Sequence, residues 1–300
     1  MNPTSPPRPG KIAAWLWATR PRTLSAALGP VLVGNALAYA EGGSISYALT
    51  LATLFCATAL QIGANLANDY FDFKKGADTS ERLGPPRATQ QGWLAPKTVL
   101  VGALVVLMMA AITGSYLVWV GGWPFVVLGL LSIAAAVGYT GGPRPLGYHG
   151  LGDVAVFFFF GLVAVCGSYY LQRSTVSPLS LWAALGVGAL VTAILVVNNI
   201  RDRESDRRAG KRTLAVRLGL KVSQLQYALL LLLALLVPPL AMLSSGASAT
   251  WLLALGSAPL ALYELRALRR REGVQLNRSL AGTARLSLIY SLLLALGVLL

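Results

Sequence analysis

The stretch SYALTLATLFCATALQIGANLANDYFDFKKGAD, residues 46–78, holds an apolar run that ends in a cluster of amides and carboxylates. Residues 46–67 are long enough to cross the roughly 30 Å hydrocarbon core of a bilayer as a helix. Because helical neighbours recur at three and four residues, Asn65, Asp69 and Asp72 lie within a narrow arc of one helical face. The stretch therefore predicts a membrane-spanning helix with an oxygen-rich surface at one end.

The composition of the whole chain is that of an integral membrane protein. Its 300 residues are 55% hydrophobic and only 12% charged, with a mean hydropathy of +0.63, which excludes a water-soluble globule with a polar surface. Nine apolar segments are long enough to span a membrane, at residues 22–40, 46–67, 98–119, 123–140, 152–171, 179–199, 224–244, 249–265 and 280–300. We expect an all-α membrane protein with about nine transmembrane helices.

The basic residues predict the orientation of these helices. With the N-terminus in the cytoplasm, only Arg173 of the 25 Lys and Arg residues falls in an external connection, as the positive-inside rule requires. We therefore expect a multi-pass protein of the cytoplasmic membrane, which is the inner membrane in a two-membrane cell, with its polar loops in the cytoplasm. The net charge of +14 is spread over juxtamembrane loops without a nucleic-acid motif. The lipid bilayer, and not nucleic acid, is the expected partner.

The ends of the chain predict a simple domain organisation. Residues 1–11 are rich in proline, and no short apolar core with a small-residue cleavage site follows them, so they are expected to form a disordered tail rather than a signal peptide. Residues 12–300 are expected to form a single transmembrane domain. The sequence gives no indication of oligomeric state.

A second cluster, NNIRDRESDRRAGKRT at residues 198–213, repeats the pattern of the first. Asn198, Asp202 and Asp206 share one helical face for the same reason as the first set. The two clusters close the second and the sixth predicted spans, and both fall on the cytoplasmic side. Internal repeats commonly place a shared site at their interface, so we expect both clusters at one cavity mouth.

Concentrated carboxylates attract hard divalent cations such as Mg²⁺, which takes carboxylate oxygens together with substrate phosphates. Two magnesium ions, one for each cluster, would bridge the carboxylates to a diphosphate. The residues expected to carry this catalysis are Asp69, Asp72, Asp202 and Asp206. Asn65, Asn68, Asn198 and Asn199 are neutral ligands or hydrogen-bond donors in the same hypothesis.

The loops that follow the clusters supply basic side chains for a departing diphosphate. The residues predicted to bind the diphosphate are Asn65, Lys75, Arg82, Arg144, Asn198, Arg201, Lys211 and Arg212. An allylic cation left behind needs a dry cavity with aromatic faces. Tyr139 and Tyr148 are assigned to that pocket, for the acceptor or the cation. The run Phe157 to Phe160 is read more readily as lipid-facing or interfacial aromatics.

The strings NDYFDFKKGADT and NNIRDRESDRRAGKRTLAVRLG resemble the two aspartate-rich motifs of the UbiA superfamily of intramembrane aromatic prenyltransferases. The resemblance extends over residues 12–300. Three further strings, RPRTLSAALGPVLVG, ERLGPPRATQQG and GKRTLAVRLG, are similar to the branch that acts on 1,4-dihydroxy-2-naphthoate. By this resemblance the metal-binding role falls on Asn68, Asp69, Asp72, Asp78, Asp202 and Asp206.

The resemblance also implies a nine-helix bundle around a central cavity and a reaction. In that reaction a polyprenyl diphosphate alkylates the naphthoate ring carbon that bears the carboxylate, and diphosphate and carbon dioxide leave. The product is demethylmenaquinone, an intermediate of menaquinone biosynthesis. The partners are therefore a polyprenyl diphosphate and an aromatic acceptor.

Other functions remain open at this point. A prenyltransferase for another aromatic acceptor, such as 4-hydroxybenzoate, would share both motifs. A transporter of an anionic substrate would use the same cavity without chemistry. A phosphotransferase acting on lipid head groups would also use magnesium and aspartates, but the chain contains no D-G-x-x-A-R string.

Overall fold

The computed structural model describes residues 9–78 and 82–300. Most of the expected N-terminal tail, residues 1–8, lies outside this part of the chain, and helix α1 begins at Lys11. Within the described residues the secondary structure is helical and contains no strand. The all-α expectation is therefore confirmed.

Twelve α-helices follow one another among the described residues. They are α1 Lys11–Thr19, α2 Ser25–Gly42, α3 Tyr47–Lys74, α4 Pro96–Gly121, α5 Trp123–Gly138, α6 Gly152–Val156, α7 Gly167–Arg173, α8 Pro178–Arg201, α9 Arg203–Arg208, α10 Leu214–Ser245, α11 Ala258–Arg270 and α12 Leu276–Leu299. A π-helix, Phe157–Cys166, joins α6 to α7, and a 3₁₀-helix, Ala249–Ser257, precedes α11.

Six of these helical stretches are long and apolar enough to cross a membrane by themselves. A seventh arises if α1 and α2, which meet at 51°, count as one broken span. Helix α5 is apolar but only 16 residues long, and the predicted span at 249–265 divides between the 3₁₀-helix and α11. The structure thus places a helix at each predicted segment, while the count of nine full spans is not confirmed.

Helix α8 is the central helix of the bundle. It packs against α2, the π-helix, α10 and α12, and its buried face is rich in alanine and glycine, which lets the neighbouring backbones approach closely. At Gly186 an added Cβ would lie 2.4 Å from Tyr290 Oη. That hydroxyl donates to the carbonyl of Ala234 on α10, so Gly186 leaves room for a bond between α12 and α10.

Four polar connections meet at one end of the bundle. Lys75 Nζ, after α3, donates to the carbonyl of Thr140, after α5, over 2.7 Å. The amide of Arg212, before α10, donates to the carbonyl of Tyr148. Asn277, near the start of α12, donates to the carbonyl of Leu83 over 2.8 Å. The two clusters at the ends of α3 and α8 are therefore brought to the same end of the molecule.

Candidate active site

A cavity of about 990 Å³ lies inside the bundle beneath these connections. Its walls come from α2, α3, α4, α5, the π-helix and α8, and are mostly apolar. One end is polar and holds side chains from both clusters. Those that line the cavity are Asn65, Asn68 and Asp72 from the first cluster and Asn198, Asn199, Asp202 and Asp206 from the second. Both clusters therefore share one cavity.

Asp72 is the most heavily bonded carboxylate of this polar end. It is 1% exposed, because the last turns of α3 are covered by the loops after α3 and α5. Arg87 Nη2 donates to Asp72 Oδ2 over 2.8 Å, and the Tyr148 hydroxyl donates to Asp72 Oδ1 over 2.9 Å. Lys211 Nζ, from the connection before α10, lies 3.0 Å from the same Oδ1. Asp72 thus collects basic groups from both halves of the sequence.

Arg82 and Arg87 reach the cavity from the long connection after α3. Asp78 lies behind them and pairs with both, with Oδ1 2.7 Å from Arg82 Nη1 and Oδ2 3.1 Å from Arg87 Nε. Burial raises the pKa of the Asp78 carboxyl, although Arg87 and Arg82 oppose that shift. Asp78 is not among the described residues that line the cavity. Its contacts position two guanidinium groups, and its metal-binding role stays a prediction.

Asp69 faces the same connection rather than the cavity. Its Oδ2 accepts a hydrogen bond from the amide of Ala88 over 3.1 Å, and its Oδ1 accepts one from the Thr89 hydroxyl. It is 2% exposed and is not among the described residues that line the cavity. Its predicted role as a metal ligand is untested. The observed role is to fasten the loop that carries Arg87 to α3.

Asp202 is the first carboxylate of the second cluster and directly follows the end of α8. Arg201 donates to it twice, from Nε over 2.8 Å and from Nη2 over 2.6 Å. Arg201 also donates to Asn198 and Asn277, so its nitrogens are all engaged. Burial alone would raise the pKa of Asp202, but Arg201 lowers it overall. Asp202 is therefore an ionised carboxylate that Arg201 holds in place. Arg201, which was predicted to bind the diphosphate, is engaged by Asp202 in this structure.

Asp206 has much weaker compensation. The nearest basic group is Lys211 Nζ, 3.9 Å from Asp206 Oδ1. Burial raises the pKa of Asp206 to about 7, with Lys211 opposing the shift and the charges of Asp202 and Asp72 adding to it. Asp206 is therefore a buried carboxylate without a close basic partner, as expected of a residue that receives a cation.

Tyr148 lies between two lysines at the mouth of the cavity. Lys75 Nζ is 4.6 Å and Lys211 Nζ 4.9 Å from the centre of its ring. Burial and the neighbouring Asp72 raise the pKa of Tyr148, so the phenol stays protonated and donates a hydrogen bond to Asp72. Tyr139 also lines the cavity. Both tyrosines predicted for the pocket are at its wall.

Arg20, which is not among the predicted site residues, also lines the cavity. It sits at the break between α1 and α2 in the left-handed conformation, with φ 52°. Its Nη2 atom is buried and has no hydrogen-bond partner among the described residues. The sequence signal was the string R-P-R-T before an apolar span, since proline disfavours helix at the preceding residue.

Asn65 holds this turn in place. Its side-chain amide donates to the carbonyl of Thr19 over 3.0 Å and to the Thr23 hydroxyl over 3.1 Å. These two contacts lie on either side of Arg20 in the sequence. Asn65 was expected to bind the diphosphate, and the structure instead engages its amide nitrogen with the Arg20 turn.

The other predicted residues divide between the cavity and the surface. Asn68 lines the cavity and accepts from Thr140 through its side-chain oxygen. Arg144 and Arg212 are exposed and are not among the described cavity residues. Phe159 and Phe160 line the cavity, so the lipid-facing interpretation is wrong for these two, whereas Phe158 is 38% exposed.

The donor set fits a magnesium ion that arrives with a phosphate group. Among residues 9–78 and 82–300, no three carboxylate, histidine or cysteine side chains form a group that could hold a metal. Mg²⁺ usually takes only one or two carboxylates and completes its shell with water and substrate phosphates. Asn68 offers a neutral oxygen and Asp206 offers a carboxylate with no basic group closer than 3.9 Å, which is a donor set of this kind.

Comparisons with known proteins place this site in context. The model of the UbiA prenyltransferase family matches residues 27–292. The chain is 40% identical to the 1,4-dihydroxy-2-naphthoate octaprenyltransferase of Escherichia coli (strain K12) over 298 residues, 96% of each chain. It is 36% identical to the protein of the same name from Haemophilus influenzae (strain ATCC 51907 / DSM 11121 / KW20 / Rd) over 297 residues, again 96% of each.

The fold also resembles that of a solved structure. A UbiA homolog from Archaeoglobus fulgidus, bound to GPP and Mg²⁺, superposes with a TM-score of 0.70 over 95% of this chain and 99% of the other. The sequences are 15% identical, so the likeness is one of fold. The helical fold is therefore shared across distant sequences.

Proposed function

The chain belongs to the UbiA prenyltransferase family, and we propose that it transfers a polyprenyl chain from its diphosphate to 1,4-dihydroxy-2-naphthoate. The prenyl carbon bonds to the ring carbon that bears the carboxylate, diphosphate and carbon dioxide leave, and the product is demethylmenaquinol, the reduced form of demethylmenaquinone. The observation that carries this proposal is that both aspartate clusters line one cavity whose remaining walls are apolar. A diphosphate head suits the polar end, and a hydrocarbon chain suits the rest. The acceptor follows from relatives with that printed activity at 36% and 40% identity.

Asp72, Asp202 and Asp206, with Asn68, are the residues that would hold magnesium in this proposal. Two ions, one at each cluster, would neutralise the diphosphate and stabilise it as it leaves. Asp69 and Asp78 support the site through Thr89, Arg82 and Arg87 in the arrangement described. Direct ligation by either carboxylate would require these contacts to be exchanged.

Basic side chains supply the remaining compensation for the leaving group. Lys211, Arg82 and Arg87 all line the cavity or touch Asp72, and their present partners are carboxylates. If Asp72 held a metal, Arg87 and Lys211 would be free to turn to the phosphate oxygens, whereas Arg82 would stay paired with Asp78. Such exchange keeps the buried charges paired at every stage, which matters because an unpaired buried charge is costly.

Arg20 is proposed to bind the carboxylate of the naphthoate. Its buried Nη2 lacks an acceptor, and a guanidinium matches a carboxylate in shape and charge. Asn65, which pins the Arg20 turn, precedes Asp72 by seven residues, or roughly 10 Å along the helix. That separation suits two distinct anions, with the diphosphate at Asp72 and the acceptor nearer Arg20.

The apolar wall of the cavity keeps water away from the reaction. Phe159 and Phe160 lie below the clusters and exclude water from the reacting carbon. The raised pKa of Tyr148 keeps it protonated at neutral pH, so it is a hydrogen-bond donor and not a base. The electron-rich ring of the acceptor is a sufficient nucleophile without a strong base.

The bundle is proposed to lie in the cytoplasmic membrane with the cavity mouth toward the cytoplasm. The six or seven helical stretches of spanning length support a multi-pass arrangement. The basic loops that surround the mouth support its cytoplasmic side.

The decisive assay uses the purified chain, Mg²⁺ and a radiolabelled polyprenyl diphosphate with a panel of acceptors. We expect a prenylated product and released carbon dioxide with 1,4-dihydroxy-2-naphthoate, and neither after chelation with EDTA. Prenylation of 4-hydroxybenzoate without reaction of the naphthoate would overturn the acceptor. Movement of unchanged substrate across sealed vesicles, with no product, would instead indicate a transporter.

A further inference from the structure

The π-helix Phe157–Cys166 is unusually long and forms part of the cavity wall. Together with α6 and α7 it belongs to one continuous stretch, Gly152–Arg173. Most π-helical turns in proteins are single insertions, and they occur frequently at functional sites. Ten consecutive residues in this conformation therefore call for an explanation.

The cavity-facing residues of this stretch repeat every four positions. They are Ala155 and Val156, Phe159 and Phe160, Val163 and Ala164, Gly167 and Ser168, then Leu171. In an α-helix each residue turns about 100°, so a four-residue step overshoots by about 40° and four steps by about 160°. A π-helical turn takes more residues because its hydrogen bonds run to the fifth residue, and this offsets the drift. The stripe can therefore face one cavity from end to end.

The other faces of the stretch follow the same period. Phe157, Gly161, Val165 and Tyr169 face the core of the bundle, whereas Val154 and Phe158 are exposed. At Gly161 an added Cβ would lie 2.9 Å from Gly188 Cα on α8. This contact fixes the rotation of the π-helix about its own axis.

The stripe changes in size along its length. A Cβ on Gly152 would lie 2.8 Å from Tyr139 Oη, so this end of the stretch is at the polar mouth. Phe159 and Phe160 come next, followed by the small Ala164, Gly167 and Ser168. A Cβ on Gly167 would make only ordinary van der Waals contact with the ring of Phe125, at 3.9 Å, so a side chain can be added there without a clash at Cβ. The side chains of the stripe are therefore large near the polar mouth and small farther from it.

We propose that the π-helix forms a straight wall along which the prenyl chain lies, and that Gly167 governs which donor lengths are accepted. This inference rests on the proposed function. Gly167 is 15 residues from Gly152, roughly 20 Å along the helix. An extended chain advances about 1.2 Å per bond, so the eight-carbon backbone of a geranyl group spans roughly 8 Å and ends before Gly167. An octaprenyl group spans roughly 40 Å by the same measure and must pass it.

The test compares Gly167→Leu with the unmodified chain, using 1,4-dihydroxy-2-naphthoate and geranyl or octaprenyl diphosphate. We expect kcat/KM for the octaprenyl donor to fall about tenfold or more, since one or two methylenes in an apolar pocket have effects of this size. With the geranyl donor kcat/KM should change less than about twofold. Gly129→Leu on α5 tests the same idea from the facing wall, because a Cβ there meets no atom within 4 Å.

Gly256→Leu is the matched control, because it adds the same bulk at an exposed site outside the cavity. It should leave the ratio of the two donors unchanged. Equal losses with both donors, or no loss with either, in Gly167→Leu and Gly129→Leu would overturn the inference. If the unmodified chain prenylates nothing, the proposed function fails instead, so the two failures are distinguishable.

Discussion

At the scale of single residues, Asp202 and Asp206 form the second half of the predicted metal site, and they differ in how closely a basic group balances their charge. Asp202 is paired with Arg201 at 2.6 Å, whereas the nearest basic atom to Asp206 is 3.9 Å away. We expect Asp206→Asn to reduce turnover by about 100-fold and to raise the Mg²⁺ concentration that gives half-maximal rate. Initial rates across a magnesium titration would measure both effects, and Lys221→Asn serves as an exposed control. An unchanged magnesium requirement would contradict the assignment.

Arg20 offers a second test at the same scale. If its guanidinium receives the naphthoate carboxylate, Arg20→Gln should raise KM for the naphthoate by about 10- to 100-fold, the effect of one charged hydrogen bond. KM for the prenyl diphosphate should stay within about twofold. Steady-state kinetics with each substrate varied in turn would measure the split, with Lys221→Gln as the exposed control. A rise confined to the prenyl diphosphate would place the diphosphate at Arg20.

At the scale of elements, the loop after α3 depends on Asp69 for its attachment. Thr89→Val removes the hydroxyl that donates to Asp69 Oδ1 but leaves the carboxylate intact. If Asp69 acts by holding the loop, we expect activity to fall about tenfold, because a buried hydrogen bond is lost. If Asp69 acts only as a metal ligand, activity should stay near that of the unmodified chain. Asp69→Asn should abolish turnover if Asp69 ligates a metal. If Asp69 holds the loop, the remaining amide oxygen still accepts from Thr89 and the loss should be partial, so the two variants together separate the roles.

At the scale of the whole molecule, the distribution of charge predicts how the bundle sits in the membrane. Single cysteines introduced at Arg144 and at Val176, in a background without Cys56 and Cys166, lie at exposed positions. In right-side-out vesicles a membrane-impermeant maleimide should label Val176→Cys and leave Arg144→Cys unlabelled until the vesicles are opened. The reverse pattern would place the cavity mouth outside.

The two aspartate motifs and the helical class could be predicted from local sequence, because the spacing of Asp69 and Asp72 is a property of one helix. The single helical face expected for Asn198, Asp202 and Asp206 was wrong, since α8 ends at Arg201 and Asp206 lies on α9. Arg20 could not be predicted from local sequence, since nothing adjacent to it shows that Asn65, 45 positions later, would bracket its turn. Nor could the sequence show that Arg144 and Arg212 are exposed to solvent rather than directed into the cavity. A basic residue in a loop reads the same in sequence whether it faces a cavity or water.

The amino-acid sequence by itself determined that the chain is a helical membrane protein, that carboxylates close two of its helices, and which family those motifs resemble. Tertiary structure alone decided which oxygens point into the cavity and which fasten a loop. It also decided that a π-helix turns Phe159 and Phe160 inward. The physical reason is that helix formation and membrane insertion depend on periodicity and hydrophobicity along the chain. The partner of a buried charge depends on contacts between segments distant in sequence, which no local pattern records.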